Sequence, residues 1–258
     1  MPWRLFTGLN KMLPHKWYIA GTGNLGMALG ELLKNADIAA FGGWLSQNSS
    51  VKNIAPVFDI KEHADAQAGV FLCIPDRLIE ETAGVLKQKF NVVVHCSGMQ
   101  PLFPACDAVC WPMQTFSAHV PTVWEDVPVF MESSNPDLKD YLSGLFEKAG
   151  SNPIHCSLQQ RQTAHLAAVI ANNFSNAMFA FAGDLLASKE LDPQLLLPII
   201  RQTVEKLNYT SALQGQTGPA IREDFNTVRM QSDMLRENPD WQRLYDVISA
   251  AIPVLFKK

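Results

Sequence analysis

The feature that most constrains this chain is the apolar run Trp17-Tyr18-Ile19-Ala20, which passes directly into Gly21-Thr22-Gly23-Asn24-Leu25-Gly26 and then into Met27-Ala28-Leu29-Gly30-Glu31-Leu32-Leu33. Leu25, Leu29, Leu32 and Leu33 make one apolar face at helical spacing, so the stretch reads as a buried strand, a tight turn and a helix. The spacing G-x-G-x-x-G suits a dinucleotide. Gly21 permits the turn, Gly23 lets backbone approach a pyrophosphate, and Gly26 lets helix pack on strand, while the helix N-terminus offers N–H groups to the anion. Thr22, Asn24 and Leu25 complete the cradle. The competing reading is a glycine-rich turn with no ligand, and the flanks favour the cradle.

Composition sets the bounds. The 258 residues are 47% hydrophobic and 18% charged, enough apolar mass for a real core in one or two domains. A net charge of −4 with pI near 5.9 leaves no basic footprint, which argues against a nucleic-acid partner or attraction to a membrane surface. No apolar run in the sequence approaches the ~18 residues of a membrane span. Residues 1–14 read as an N-terminal extension without the continuous apolar stretch of a signal peptide, and Met12 is an alternative start. Five scattered cysteines, an odd number, read as reduced thiols and place the protein in the cytoplasm.

Further apolar runs repeat the pattern. A second strand is expected over residues 38–45, and no Asp or Glu stands about 20 residues past the glycines to hold a ribose 2′-OH, as NAD sites usually require. Ser46, Gln47 and Asn48 stand there instead, with Lys52 close behind. These groups accept a 2′-phosphate without repelling it, which favours NADP and keeps NAD possible; a plain polar loop is the bland reading. Strands are then expected over 68–76, 91–98, 108–113 and 127–132, with helices over 77–88 and 137–149 stopped by Gly150. This alternation predicts an α/β class: a Rossmann-like, doubly wound, mostly parallel sheet. Ligands in such sheets sit at the carboxyl ends of strands, so the glycines, Ser46, Ile74-Pro75-Asp76, Ser97-Gly98 and Pro112-Met113-Gln114 are expected to line one crevice.

From Ser157 strands give way to helical patterns, so the chain is divided as a nucleotide-binding domain over 15–154 and an all-α domain over 155–258. Ser157 and Gln160 match a capping box, opening a helix expected to run to about residue 188. On its wheel His165, Val169, Asn172 and Asn176 share a stripe, with Asn173 at the edge. Either the two asparagines tie helices together, or His165 with Asn172 or Asn173 faces the crevice and holds a substrate. Asp192-Pro193 and Asn238-Pro239 start later helices, Pro198 is expected to kink the first of these, and Leu244, Ile248, Ala251 and Ile252 of the last are expected to pack inward. Cys106-x3-Cys110, His95-Cys96 and His155-Cys156 lack the spacing of a closed zinc site, so no metal is expected. Neither a P-loop nor a G-x-S-x-G elbow occurs.

Asp76 after Ile74-Pro75, Ser97-Gly98, Gln114-Thr115-Phe116-Ser117, Val127-Pro128-Val129-Phe130, Arg161-x3-His165-Leu166-Ala167-Ala168 to Asn172-Asn173-Phe174, and Thr217-Gly218-Pro219-Ala220-x-Arg222 occur in this order. In this the chain resembles a bacterial group that pairs a Rossmann-like domain with a helical C-terminal domain of unknown function, whose members are provisionally labelled NADP oxidoreductases. The likeness covers nearly everything after Met12. The group is distantly similar to pyrroline-5-carboxylate reductase and the β-hydroxyacid dehydrogenases, which implies a cleft between domains and a homodimer built through the helical domain. The Lys that serves β-hydroxyacid dehydrogenases as acid/base is replaced by Ala168 and Val169. The Ser-Pro-Gly-Gly-Thr run of the reductases is missing, and a His frequent in the group is Gln231 or a neighbour. His165, about a turn earlier on the same stripe, becomes the acid/base candidate because it alone nearby titrates near neutrality.

The expectation is therefore an NADP-dependent oxidoreductase acting on a small carbonyl or imine compound. The glycine loop, Ser46, Gln47, Asn48, Ile74, Pro75 and Ser97 would hold cofactor. His165 and Asn173 would serve catalysis, and Asn172, Met113, Gln114 and Arg222 the substrate. The alternative is a dinucleotide-binding sensor or interaction protein without turnover, favoured by the missing Lys.

Overall fold

The computed structural model describes residues 13–35, 40–46, 57–118 and 120–256. Most of the expected N-terminal extension lies outside these residues, as do Gln47, Asn48 and Lys52. The chain divides into two compact units, Met1–Ser175 and Asn176–Lys258, and the division falls within the helical run opened by Ser157.

In chain order the first unit contains β1 (Lys16–Ala20), α1 (Asn24–Asn35), β2 (Ala40–Ser46), β3 (Val57–Asp59) and β4 (Asp65–Leu72). A 3-10 turn, Asp76–Leu78, leads into α2 (Ile79–Leu86), followed by β5 (Phe90–His95), β6 (Ala108–Pro112), β7 (Pro128–Glu132), α3 (Pro136–Lys148), β8 (Asn152–His155) and α4 (Leu158–Ala168). The strands form one sheet in the order β3-β2-β1-β4-β5-β6-β7-β8. Pairing is parallel from β3 through β6, β7 runs antiparallel to β6, and β8 is parallel to β7. This is the expected doubly wound, mostly parallel α/β sheet.

Alternation along each strand explains both layers. Trp17, Ile19, Phe71, Val92 and Val94 point to one face, where they pack with Leu29 and Leu33 of α1 and Leu142 and Phe146 of α3. Tyr18, Ala20, Val70, Leu72 and Val93 point to the other, covered by Ile79, Ala83 and Leu86 of α2. Strands buried on both faces read as continuous apolar runs, which is why these were found. The edge strands β3 and β8 were not expected: β3 has three residues, and β8 contains Pro153, tolerated at an edge where one side of the ladder is unpaired. Helix α3 starts as its residues dictate, with Asn135 accepting from Leu138 N at 3.2 Å and Pro136 at the first position, and stops before Gly150 at φ +79°.

Ser157 and Gln160 form the reciprocal capping box. The run it opens passes through α4, a π-helical stretch at Val169–Phe174, and α5 (Ser175–Ala187). Leu158–Ala187 has 30 residues and contains an 18-residue window of mean hydropathy 1.2, 6% of it buried. By length and average composition it is long and apolar enough to cross a membrane, although Gln159, Gln160, Arg161, His165, Asn172, Asn173 and Asp184 interrupt its apolar residues.

Beyond α5 the second unit holds a 3-10 turn at Pro193–Leu196, α6 (Leu197–Glu205), a 3-10 turn at Lys206–Asn208, α7 (Phe225–Met234) and α8 (Pro239–Phe256). Asp192 caps the first turn by accepting from Gln194 N at 2.9 Å. Pro198 does not kink a helix: it occupies the first turn of α6, where its missing N–H costs nothing. Leu235 is the one buried hydrophobic residue among the described residues of this unit. Leu244, Ile248 and Ile252 line an open cavity of about 270 Å³ with Phe181 and Trp241. The two aromatic rings stack at 3.9 Å.

Candidate dinucleotide and substrate site

Backbone hydrogen bonds continue the sheet past its strands and set the turns side by side. Gly21 N donates to Leu45 O (3.1 Å), Cys73 N to Ala20 O (2.8 Å) and Cys96 N to Leu72 O (3.2 Å). The turns after β1, β4 and β5 thus share one edge, at the place where strand order reverses between β1 and β4. Doubly wound sheets bind ligands at that switch point.

The three glycines hold different jobs there. Gly21 has φ +111°, and a Cβ on it would stand 2.2 Å from Cys73 O. A Cβ on Gly26 would stand 2.3 Å from Gly21 O, so helix and turn could not meet. Gly23 is different: nothing lies within 4 Å of its Cβ position. No contact inside the protein requires a glycine there, whereas an approaching pyrophosphate would. Helix α1 begins at Asn24 with no acidic residue in its first turn, and its leading N–H groups lack helical acceptors. Asn24 Nδ2 donates to Phe116 O at 3.0 Å, tying the loop to the segment after β6. Ser46 ends β2 on the same edge.

The loop after β5 is built by a polar network that sequence reading missed. Ser97 Oγ donates to Asp76 Oδ2 (2.8 Å) and accepts from the N–H groups of Met99 (3.1 Å) and Gln100 (3.0 Å). Ser97 N donates to His95 Nδ1 at 3.2 Å, so the His95 proton is on Nε2 and bonds Pro101 O at 3.0 Å. Burial lowers the His95 pKa to about 4, keeping the ring neutral. Arg161, fully buried, reaches in from α4: Nη1 donates to Ser97 O and Gln100 O, both at 2.8 Å, and Nη2 to Glu132 Oε2 at 2.9 Å. The available signal was an arginine one turn before His165, because an arginine that is buried must be paired.

One turn after Arg161, His165 lies on Gly98. A Cβ on Gly98 would meet His165 Cδ2 at 2.3 Å, and the imidazole packs against Trp111 with centroids 5.2 Å apart. The carbon edge of the ring is therefore seated, while neither ring nitrogen hydrogen-bonds a described residue. His165 borders a groove of about 410 Å³ with Met99, Gln159, Gln162, Leu166 and Val169. Ile74 and Pro75 lead into the 3-10 turn on the shared edge, Leu78 N donating to Pro75 O at 2.9 Å. Met113 N donates to Pro128 O (2.8 Å), and Gln114 Oε1 accepts from Thr115 N (2.8 Å).

The structure therefore gathers the glycine turn, Ser46, Ile74, Pro75 and Ser97 on one sheet edge and sets His165 against the turn that follows Ser97. Asn172 and Asn173 lie exposed in the π-helical stretch, where Asn172 Nδ2 donates to Asn173 Oδ1 at 3.2 Å. Arg222 is exposed in the second unit, beside Asp224, which caps α7 through Thr227. A cavity of about 690 Å³ is lined by residues of α1 and α3 with Ser117, Val120, Pro121 and Trp124, and among the described residues of the glycine loop it touches Asn24. Among the described residues no three His, Cys, Asp or Glu side chains converge as metal ligands.

The first unit is a Rossmann-like α/β fold, and the second is helical. Residues 127–252 match the family described as Domain of unknown function (DUF2520). A Bacteroides fragilis protein provisionally named as an NADP oxidoreductase superposes with a TM-score of 0.85 at 27% identity, over 93% of this chain and 98% of that one. A Thermotoga maritima protein gives 0.78 at 22% identity, over 94% and 100%. A Plasmodium falciparum pyrroline carboxylate reductase with NADP bound gives 0.58 at 14%, over 92% and 99%. No curated protein sequence matches the chain.

Proposed function

We propose that the protein is an NADP-dependent oxidoreductase acting on a small carbonyl or imine compound. The observation that carries this reading is the open Cβ position of Gly23 at the sheet's switch point, between two glycines that the fold itself requires. Gly21 to Gly26 and the first N–H groups of α1 would hold the pyrophosphate. Ser46, with Gln47 and Asn48 outside the described residues, would hold the adenosine ribose or its phosphate. Ile74, Pro75, Ser97 and Met113 would flank the nicotinamide, which supplies or accepts the hydride when bound.

His165 is suited to hold or move a proton because Gly98 and Trp111 fix its carbon edge and leave both nitrogens unengaged. Asn173, with Asn172 and Gln114, would orient the substrate. Ile199 (64% exposed), Met230 (69%), Met234 (71%) and Val254 (79%) in the unit over Asn176–Lys258 leave apolar surface that a second copy would cover in a homodimer, and the free cysteines fit a cytoplasmic location.

A dinucleotide-binding sensor without turnover is the second reading, favoured by apolar Ala168 and Val169 where related dehydrogenases carry Lys. Small carbonyl and imine compounds are screened for NADPH oxidation, comparing wild type with His165→Ala and Asn173→Ala. Turnover that collapses in both variants is expected; saturable NADPH binding with no turnover on any compound would move the protein to the sensor class.

A further inference from the structure

Cys73 and Cys96 stand just past the ends of β4 and β5, directly opposite each other, because the ladder pairs Leu72 with His95 and Cys96 N still bonds Leu72 O at 3.2 Å. Their Sγ atoms are 3.8 Å apart, and both thiols are free. Neighbouring strands lie about 4.8 Å apart, within the Cα separations of about 4.4–6.8 Å that a disulfide spans. Cys73 is half-buried and reachable, whereas Cys96 is enclosed. Cys73 is also what the glycine loop rests on: its carbonyl lies under Gly21, and its Cβ is 3.3 Å from the Cβ position of Gly26.

We infer that Cys73 and Cys96 form a dithiol modification site, which hydrogen peroxide converts to a disulfide that disables the glycine cradle above it. The second half of this statement rests on the dinucleotide reading. The hydrogen bond with Cys73, together with burial, holds Cys96 well above the usual thiol range, so Cys96 stays protonated and Cys73 reacts first. Cys73 Sγ, losing its proton, attacks one peroxide oxygen; the O–O bond breaks, and the departing hydroxide takes up a proton as water. Cys96 Sγ then attacks the Cys73 sulfenic acid, the S–O bond breaks, and the second hydroxide leaves with the Cys96 proton as water. Two thiols lose two electrons, and peroxide gains them. Closing to a bond of about 2.05 Å requires the sulfurs to approach by roughly 1.8 Å, which draws Cys73 from beneath Gly21 and Gly26.

The full-length protein is treated with hydrogen peroxide, free thiols are alkylated, and peptides are mapped by mass, while NADP+ affinity is measured before treatment, after it, and after reduction with dithiothreitol. The expected result is a peptide cross-linking Cys73 to Cys96, with NADP+ binding weakened by about tenfold or more and restored by the reductant. Cys96→Ser should keep its own NADP+ affinity through the same treatment. Alkylation of both cysteines after peroxide would overturn the site. A cross-link that leaves NADP+ affinity unchanged would overturn its coupling to the loop. If the reduced protein binds neither NADP+ nor NAD+, the cofactor reading fails, and the mapped cross-link alone decides the dithiol site.

Discussion

At the scale of single residues, the glycines separate fold from function. Gly26→Ala puts a methyl 2.3 Å from Gly21 O and should cost about 1–3 kcal/mol in denaturant unfolding. Gly23→Asp meets open space, so its unfolding midpoint should stay near wild type while thermal stabilisation by NADP(H) is lost, because the carboxylate clashes with and repels the pyrophosphate. His95 supplies a pH test. Its folded pKa near 4 lies below the ordinary His value of about 6.5, so as pH falls through that window the unfolded chain binds a proton that the native one refuses. Its contribution is therefore full above pH ~6.5 and is lost towards pH ~4, up to about 3 kcal/mol. Urea unfolding at pH 7.5 and 5, with His95→Gln flattening the difference, measures it. The glycines were legible because their meaning is local. The partners of Arg161 and Ser97 were not, because Glu132 and Asp76 lie far away in sequence.

At the scale of elements, the sequence discloses β1, β4, β5 and β6, where apolar character is nearly continuous, and also β2 and β7. β3 and β8, short and at edges, carry no such run. The capping box at Ser157 and Gln160 was readable from two residues, and Ser157→Ala should cost about 1 kcal/mol in thermal or denaturant unfolding. The π-helical stretch was invisible to a wheel drawn at one constant period, and it is where Asn172 and Asn173 sit. The stripe joining His165 to Asn172 on paper therefore does not survive as a straight row. Arg161 anchors the start of the same run to the turn after β5. Arg161→Met leaves two carbonyls and Glu132 unpaired and should destabilise the protein by about 3 kcal/mol, read by urea unfolding.

At the scale of the whole molecule, a nearly coreless helical unit and a well-filled sheet unit divide the work. The alternation of strand and helix, and its end near Ser157, could be read from periodicity alone; the cofactor's exact identity could not, because Gln47 and Asn48 carry no decisive charge. The homodimer reading predicts twice the chain mass in light scattering. The central claim is that the turn Gly21 to Gly26 is a working dinucleotide cradle. Calorimetric titration of the full-length protein with NADPH, repeated with NADH, tests it most directly. Saturable binding of one NADPH per chain, tighter than NADH, is the result the account predicts; no binding of either nucleotide would contradict it.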